Sequence, residues 1–185
     1  MGMAALFAKQ FTRRMWRHLW LILGGLLLCS CSSKKESRIP AARTSMTPAQ
    51  AEREIYGRVN AYRRSRGLSV QLLDRRISEV ARKHSLWMAA RKKLSHRGAG
   101  GRFTELQRDP TLLVAFAENV ALNFGHGNPA QVAVDGWILS PGHYKNMTRR
   151  DDRLTGIGVV VGEDGTWYFT QLFGHRRGVP GSNPP

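Results

Sequence analysis

Cysteine is almost absent: the 185 residues hold two, Cys29 and Cys31, and none follows. The part of the chain long enough to fold therefore has no disulfide and no thiolate chemistry. Acids are scarce as well, 13 against 29 lysines and arginines, for a formal charge of +16. Residues 1–31 carry four of the cations (Lys9, Arg13, Arg14, Arg17) and no acid, so 25 cations against 13 acids leave +12 for the remainder. A surface of this sign favours anionic partners. No apolar run reaches the roughly 20 residues that a spanning helix needs. The Gly98-Ala99-Gly100-Gly101 run lacks the Gly-Lys-Ser/Thr ending and the leading strand of a phosphate loop. No serine stands in a nucleophile elbow, which removes one route to covalent catalysis.

What is present begins with a leader. Arg13, Arg14 and Arg17 precede an apolar stretch, Leu19 to Leu28, and small residues follow. That is the order of a secretory signal: basic segment, short apolar segment, small exit. Leu28-Cys29-Ser30-Cys31 resembles a bacterial lipobox with Cys31 as the lipidated residue. Multiple acyl chains there would hold the protein on a bacterial membrane. Residues 1–31 are thus expected to be a lipoprotein signal peptide and 32–46 a disordered tether. The tether has only Ile39 and Met46 as large apolar side chains, too few to offset its ordering entropy. The exported and anchored protein would sit in the outer membrane and periplasm or at the cell surface.

The folding segment is expected to run from 47 to 174, with a loose basic and proline-containing tail over 175–185. Thr47-Pro48-Ala49-Gln50 reads as a capping box opening a helix, with Ile55, Val59 and Tyr62 as its buried stripe. Arg53, Arg58, Arg63 and Arg64 are expected on its solvated face. After an extended piece at Leu72-Leu73, Asp74 caps a second helix to about Lys93, striped by Ile77, Val80, Ala81, His84 and Met88. His84 is therefore expected to be a core histidine, with Trp87 at the core's edge. Residues 94–110 read as a loop with one helical turn near 104–107. Gly156–Val161 and Trp167–Phe173 read as strands joined by a hairpin at 162–166. Both are apolar on both faces, so the sheet should be covered on two sides.

One stretch organises the rest, Val134 to Met147. Its first half reads as a helix packed through Val132, Val134 and Trp137. Ser140-Pro141-Gly142 is expected to break that helix, with glycine in a left-handed turn, and to place His143 at the mouth of a cleft. Two further groups of the same chemistry lie upstream, His96 and Glu118, at separations of 22 and 25 residues. Glu118 stands in an otherwise apolar segment and must find a donor or a cation. Two imidazoles and a carboxylate are what a divalent-metal site or an acid/base pair needs, and only a fold can bring these three together. His126, in the turn before Pro129, is expected to be exposed.

Several segments together resemble the CAP superfamily of sperm-coating, pathogenesis-related and venom proteins and their bacterial relatives. They are Val59-Asn-Ala-Tyr-Arg63, Ala81-Arg-Lys-His-Ser85, Leu94-Ser-His-Arg-Gly98, Ala117-Glu-Asn-Val-Ala121, Trp137-Ile-Leu-Ser-Pro-Gly-His-Tyr-Lys-Asn146, Thr155-Gly-Ile-Gly-Val159 and Trp167-Tyr-Phe-Thr-Gln-Leu-Phe173. The resemblance covers roughly residues 50–174. It implies an α+β fold: a three-layer α-β-α sandwich of the CAP/SCP type with a central, mostly antiparallel sheet. It also implies a cleft lined by two histidines and two glutamates, which holds a divalent ion in some members. His96, Glu118 and His143 match three of those positions. The fourth is missing, since Trp137 is followed by Ile138-Leu139-Ser140, and neither Ser140 nor Asp135 is a secure replacement.

On this resemblance His96, Glu118 and His143 are the candidate metal ligands, with zinc or another divalent cation as cofactor, and equally the candidate catalytic groups. Ser140, Asn119, Tyr144 and Asn146 are expected to line the cleft. The favoured function is a monomeric, tethered binding module for an anionic envelope polymer or peptidoglycan. A hydrolase acting on peptidoglycan or peptides is the alternative, and lipid or sterol capture a weaker one. Nucleic acid is excluded as a partner, because the export signal takes the chain away from it.

Overall fold

The computed structural model describes residues 44–176. The leader, Cys31, most of the tether and the residues beyond Arg176 lie outside the described residues. In chain order the elements are α1 (Pro48–Ser65), β1 (Leu72–Leu73), α2 (Arg75–Ala90), α3 (Ala99–Gln107) and β2 (Leu112–Asn123). They continue with α4 (Pro129–Leu139), α5 (Pro141–Met147), β3 (Leu154–Val161) and β4 (Trp167–Arg176). The strands form one sheet in the order β1-β3-β4-β2, parallel only between β1 and β3. β2, 12 residues long, is an edge strand.

Alternation along the strands sorts the side chains into two layers. On one face Ile157, Val159, Trp167, Phe169 and Phe173 pack with Ile55 and Val59 of α1, Val134 and Trp137 of α4, and Met147 of α5. On the other, Leu154 and Leu172 meet Ile77, Val80 and Ala81 of α2 and Leu106 of α3, while Val120 and Tyr168 meet Met88. Each large side chain so buried contributes about 1.5–3 kcal/mol before entropy is counted. The expected three-layer sandwich is the observed one.

Two glycines set the spacing between α2 and the sheet. A Cβ on Gly158 would lie 2.1 Å from the Arg82 backbone nitrogen, and one on Gly156 2.3 Å from the Ile77 carbonyl carbon. The helix can therefore rest directly on β3, where the Ser85 hydroxyl donates to the Gly158 carbonyl at 2.8 Å. At the other end of the chain's hairpin, Gly165 takes φ +80° in the turn between β3 and β4.

Local chemistry accounts for the helix starts. Thr47 and Gln50 form the reciprocal capping box, and the Asp74 carboxylate accepts from the Ile77 amide at 3.0 Å. Five expectations need correction. Arg63 is not on a solvated face: it is fully buried, donating from Nε to the Ser69 carbonyl and from Nη1 to the Met147 and Arg149 carbonyls. The 94–110 segment is mostly helix, because α3 starts at Ala99, inside the glycine run. Gly142 is not left-handed; Pro141 opens a new helix, α5, so the chain turns from one helix straight into the next. Strand β4 runs through His175 to Arg176, and Met46 already packs against the core.

Candidate functional site

The site is built across the edge strand β2. Glu118 shares a face with Val120 and projects toward α2 and α3, while its neighbour Asn119 projects toward α5. Glu118 is 9% exposed. Its Oε1 accepts from the His96 ring nitrogen Nδ1 at 2.8 Å, and its Oε2 accepts from Arg102 Nε at 2.8 Å and lies 2.6 Å from Nη2. The same guanidinium donates from Nη1 to the Arg97 carbonyl at 2.9 Å and from Nη2 to the His96 carbonyl at 3.4 Å. Arg102 therefore clamps both the carboxylate and the loop that carries His96. Sequence reasoning does not single it out. The available signal is a long cation at the start of a helix beside a histidine-bearing glycine loop.

His84, the expected core histidine, is buried and stacks on Trp87 with ring centroids 5.7 Å apart. It does more than fill space. Its Nε2 lies 2.7 Å from the Ser95 carbonyl, bracing the His96 loop from the other side, and 4.0 Å from Glu118 Oε1. Burial, and next the Arg102 charge, hold its pKa below the ordinary histidine value. The neutral ring with Nε2–H donating to Ser95 satisfies that bond. A cavity of about 210 Å³ adjoins this group, with Val80, His84, Trp87 and Arg102 among its walls.

His143 sits in the first turn of α5 and approaches from the opposite layer, its ring centroid 6.2 Å from that of His96. Burial and then the neighbouring His96 push its pKa down. Its carbonyl accepts from Asn119 Nδ2 at 3.2 Å, and Asn146 Nδ2 donates to Asn119 Oδ1 and to the Glu118 carbonyl. Asn119, fully buried, and Asn146 thus fix the backbones that carry Glu118 and His143. Tyr144 turns its ring edge-on to Tyr62, 6.3 Å away. Ser140 is the cap position between α4 and α5, without a side-chain capping bond. His126 is exposed in its turn, and Asp135 is exposed on α4.

The three expected ligands are brought near one another, but not as a metal shell. Among the described residues no three His, Cys, Asp or Glu side chains are arranged to hold an ion. Both oxygens of Glu118 are already engaged, which leaves two imidazoles, about half of what zinc takes from a protein. The residues present do not fit a divalent ion. What the arrangement offers instead is an imidazole, His96, oriented through Nδ1 by a carboxylate, with its side chain 54% exposed.

An α-β-α sandwich whose edge strand carries a glutamate bonded to one histidine, with a second histidine beside the first, defines the class. The model of the CAP family, the cysteine-rich secretory protein family, matches residues 56–173, and the chain belongs to that family. It is 32% identical over 125 residues to the uncharacterized membrane protein YlbC of Bacillus subtilis, an alignment covering 66% of this chain and 34% of that protein. The chain thus spans about a third of that relative's length. Among solved structures it is similar to an outer surface protein of Borrelia burgdorferi, with TM-score 0.59, 18% identity, and 71% and 97% of the two chains covered. It is also similar to an extracellular SCP-domain protein of Bacillus anthracis, with TM-score 0.52, 22% identity, and 70% and 45% covered. At these identities the likeness is one of fold.

Proposed function

We propose that the protein is an exported, membrane-anchored CAP-domain module that binds an anionic polymer of the cell envelope through its basic exterior. The observation that carries this is the closed charge of the cleft: Glu118 is matched internally by Arg102 and His96. What remains for a partner is the outer surface: with the buried Arg63, Glu118 and Asp152 and the mostly buried Arg102 set aside, residues 44–176 hold 18 lysines and arginines against 10 acids, a formal +8. Most of the acids are themselves occupied, as in Arg82–Glu52, Lys83–Glu105 and Arg58–Glu54. The names of the similar proteins, a membrane protein, an outer surface protein and an extracellular one, support export. The Cys31 lipobox supports the anchor. Among the described residues no helix is long and apolar enough to cross a membrane.

A second reading is favoured by one feature, the carboxylate-oriented and exposed His96 beside His143. Such a pair is suited to general acid/base hydrolysis of peptidoglycan or peptides. Purified sacculi separate the two. The binding module is retained on them, is released as salt rises from about 0.05 M toward 0.5 M through screening, and is indifferent to His96→Ala or His143→Ala. Soluble fragments whose release stops with His96→Ala would replace it with the hydrolase. Salt-indifferent retention would remove the electrostatic reading.

A further inference from the structure

We propose that Arg102 is the resident cation of this cleft: its guanidinium occupies on Glu118 the place of a divalent ion and keeps the site metal-independent. The inference concerns the same site as the binding reading, but it makes no use of what the exterior binds, so either can fail alone.

The argument is one of donors and charge. A metal ion in this cleft would need a third protein ligand besides the two imidazoles, and Glu118 is the carboxylate bonded to one of them, His96, whose ring lies 6.2 Å from that of His143. Oε2 of Glu118 faces two guanidinium nitrogens, at 2.8 and 2.6 Å, and Oε1 faces the Nδ1 proton of His96 at 2.8 Å. An ion bound to that carboxylate would have to displace Arg102 or share an oxygen with it, placing like charges side by side. Displacement is opposed by the other ties of the same side chain, to the Arg97 and His96 carbonyls.

The planar fork explains why the residue is arginine. One guanidinium spans a carboxylate and two carbonyls at once, which a lysine ammonium on a single stem cannot do in the same geometry. Arg102 is thus a positioning residue: it fixes Glu118, and through Glu118 and the loop carbonyls it fixes His96.

The experiment is a zinc titration by calorimetry on the purified full chain. A cobalt titration runs in parallel, read by the visible absorbance of four-coordinate cobalt. Wild type, His96→Ala, His143→Ala, Arg102→Gln, Arg102→Lys and Arg102→Gln/Glu118→Gln are compared, with circular dichroism as the folding check. The expected result is equal, weak zinc binding in wild type and both histidine variants. Arg102→Gln should gain about tenfold or more in affinity and acquire the cobalt band, because its carboxylate is freed to act as a ligand. That gain should vanish when Glu118→Gln is added, and Arg102→Lys should show none. Wild-type affinity that drops about tenfold in either histidine variant would overturn the proposal, as would a folded Arg102→Gln chain without a gain. Should Arg102→Gln fail to fold, the wild-type and histidine comparison decides the question by itself.

Discussion

Two carboxylates are buried among the described residues, and they are housed in opposite ways. Glu118, on the edge strand, has a hydrogen-bond partner on each oxygen. Asp152, in the turn before β3, is 0% exposed, yet neither of its oxygens has one, and its nearest ion-pair contact is Arg149 Nε at 3.6 Å. Arg63, also fully buried, faces Asp152 electrostatically while its own Nη2 lacks a partner. Both acids therefore have arginines, but only one pair is joined by direct hydrogen bonds. Burial drives the Asp152 pKa up to about 6, against the opposing pull of Arg149, His175 and Arg63. The difference teaches where the fold holds geometry firmly. The cleft is a closed circuit of bonds, whereas the turn before β3 keeps a charge by proximity alone.

The largest effect should come from opening the closed circuit. Arg102→Met leaves Glu118 buried without its cation and should cost about 3–5 kcal/mol in urea unfolding; Glu118→Leu strands Arg102 and should cost a similar amount. The double variant should recover most of that loss, apart from about 1 kcal/mol for the hydrogen bond to His96. Single losses under about 1 kcal/mol would class the pair with ordinary surface ion pairs and end the comparison. A corollary touches catalysis tests. Glu118→Gln is not a clean probe of chemistry here, because it also loosens Arg102 and the His96 loop.

How much of this is legible in the chain depends on whether the cause is local. The Thr47 capping box, the Asp74 cap, the α2 stripe and the hairpin at 162–166 depend on neighbours within a few residues, and the structure bears them out. Glu118 announces a need for a partner but not which one. Arg102 lies 16 residues away, and α3, which presents it, contains Gly100 and Gly101, each costing about 1 kcal/mol against alanine in a helix. Tertiary packing of Leu106 overrides that propensity. Arg63 misleads for a different reason. It stands four residues after Val59 and eight after Ile55, on the buried stripe, but its charge suggests solvent. Three backbone carbonyls from outside α1 make the burial tolerable, and no local signal reports them.

The open network should reveal itself through pH. With a folded pKa near 6 against 3.8 unfolded, Asp152 binds its proton more readily in the native state. Its stabilising contribution is complete below pH 4 and is lost as pH rises through 6, a change of about 1–3 kcal/mol. The stability of wild type relative to Asp152→Asn should therefore fall between pH 4 and pH 7, whatever the absolute cost of removing the charge that faces Arg63. A difference that stays constant over this range would mean that Asp152 is ionised at no cost, and that the two carboxylates are alike.

The smallest effect belongs to His84, which touches the closed circuit from behind, and its sign is opposite. Its folded pKa lies below the unfolded 6.5, so the unfolded chain takes up the proton first. Stability from this group is present above pH 6.5 and is lost as pH falls below it. His84→Gln keeps a donor for the Ser95 carbonyl but loses the stack on Trp87, a cost of about 0.5–1.5 kcal/mol at pH 8. That cost should shrink as pH falls below 6.5, because glutamine has no proton to exclude. Unfolding midpoints of wild type and variant at pH 8 and pH 5 measure it. Converging midpoints at pH 5 would mean that burial, and next the Arg102 charge, keeps a proton off His84 in the native state. A gap that widens would mean that the native state accepts the His84 proton, so that the cleft tolerates a cation beside Arg102.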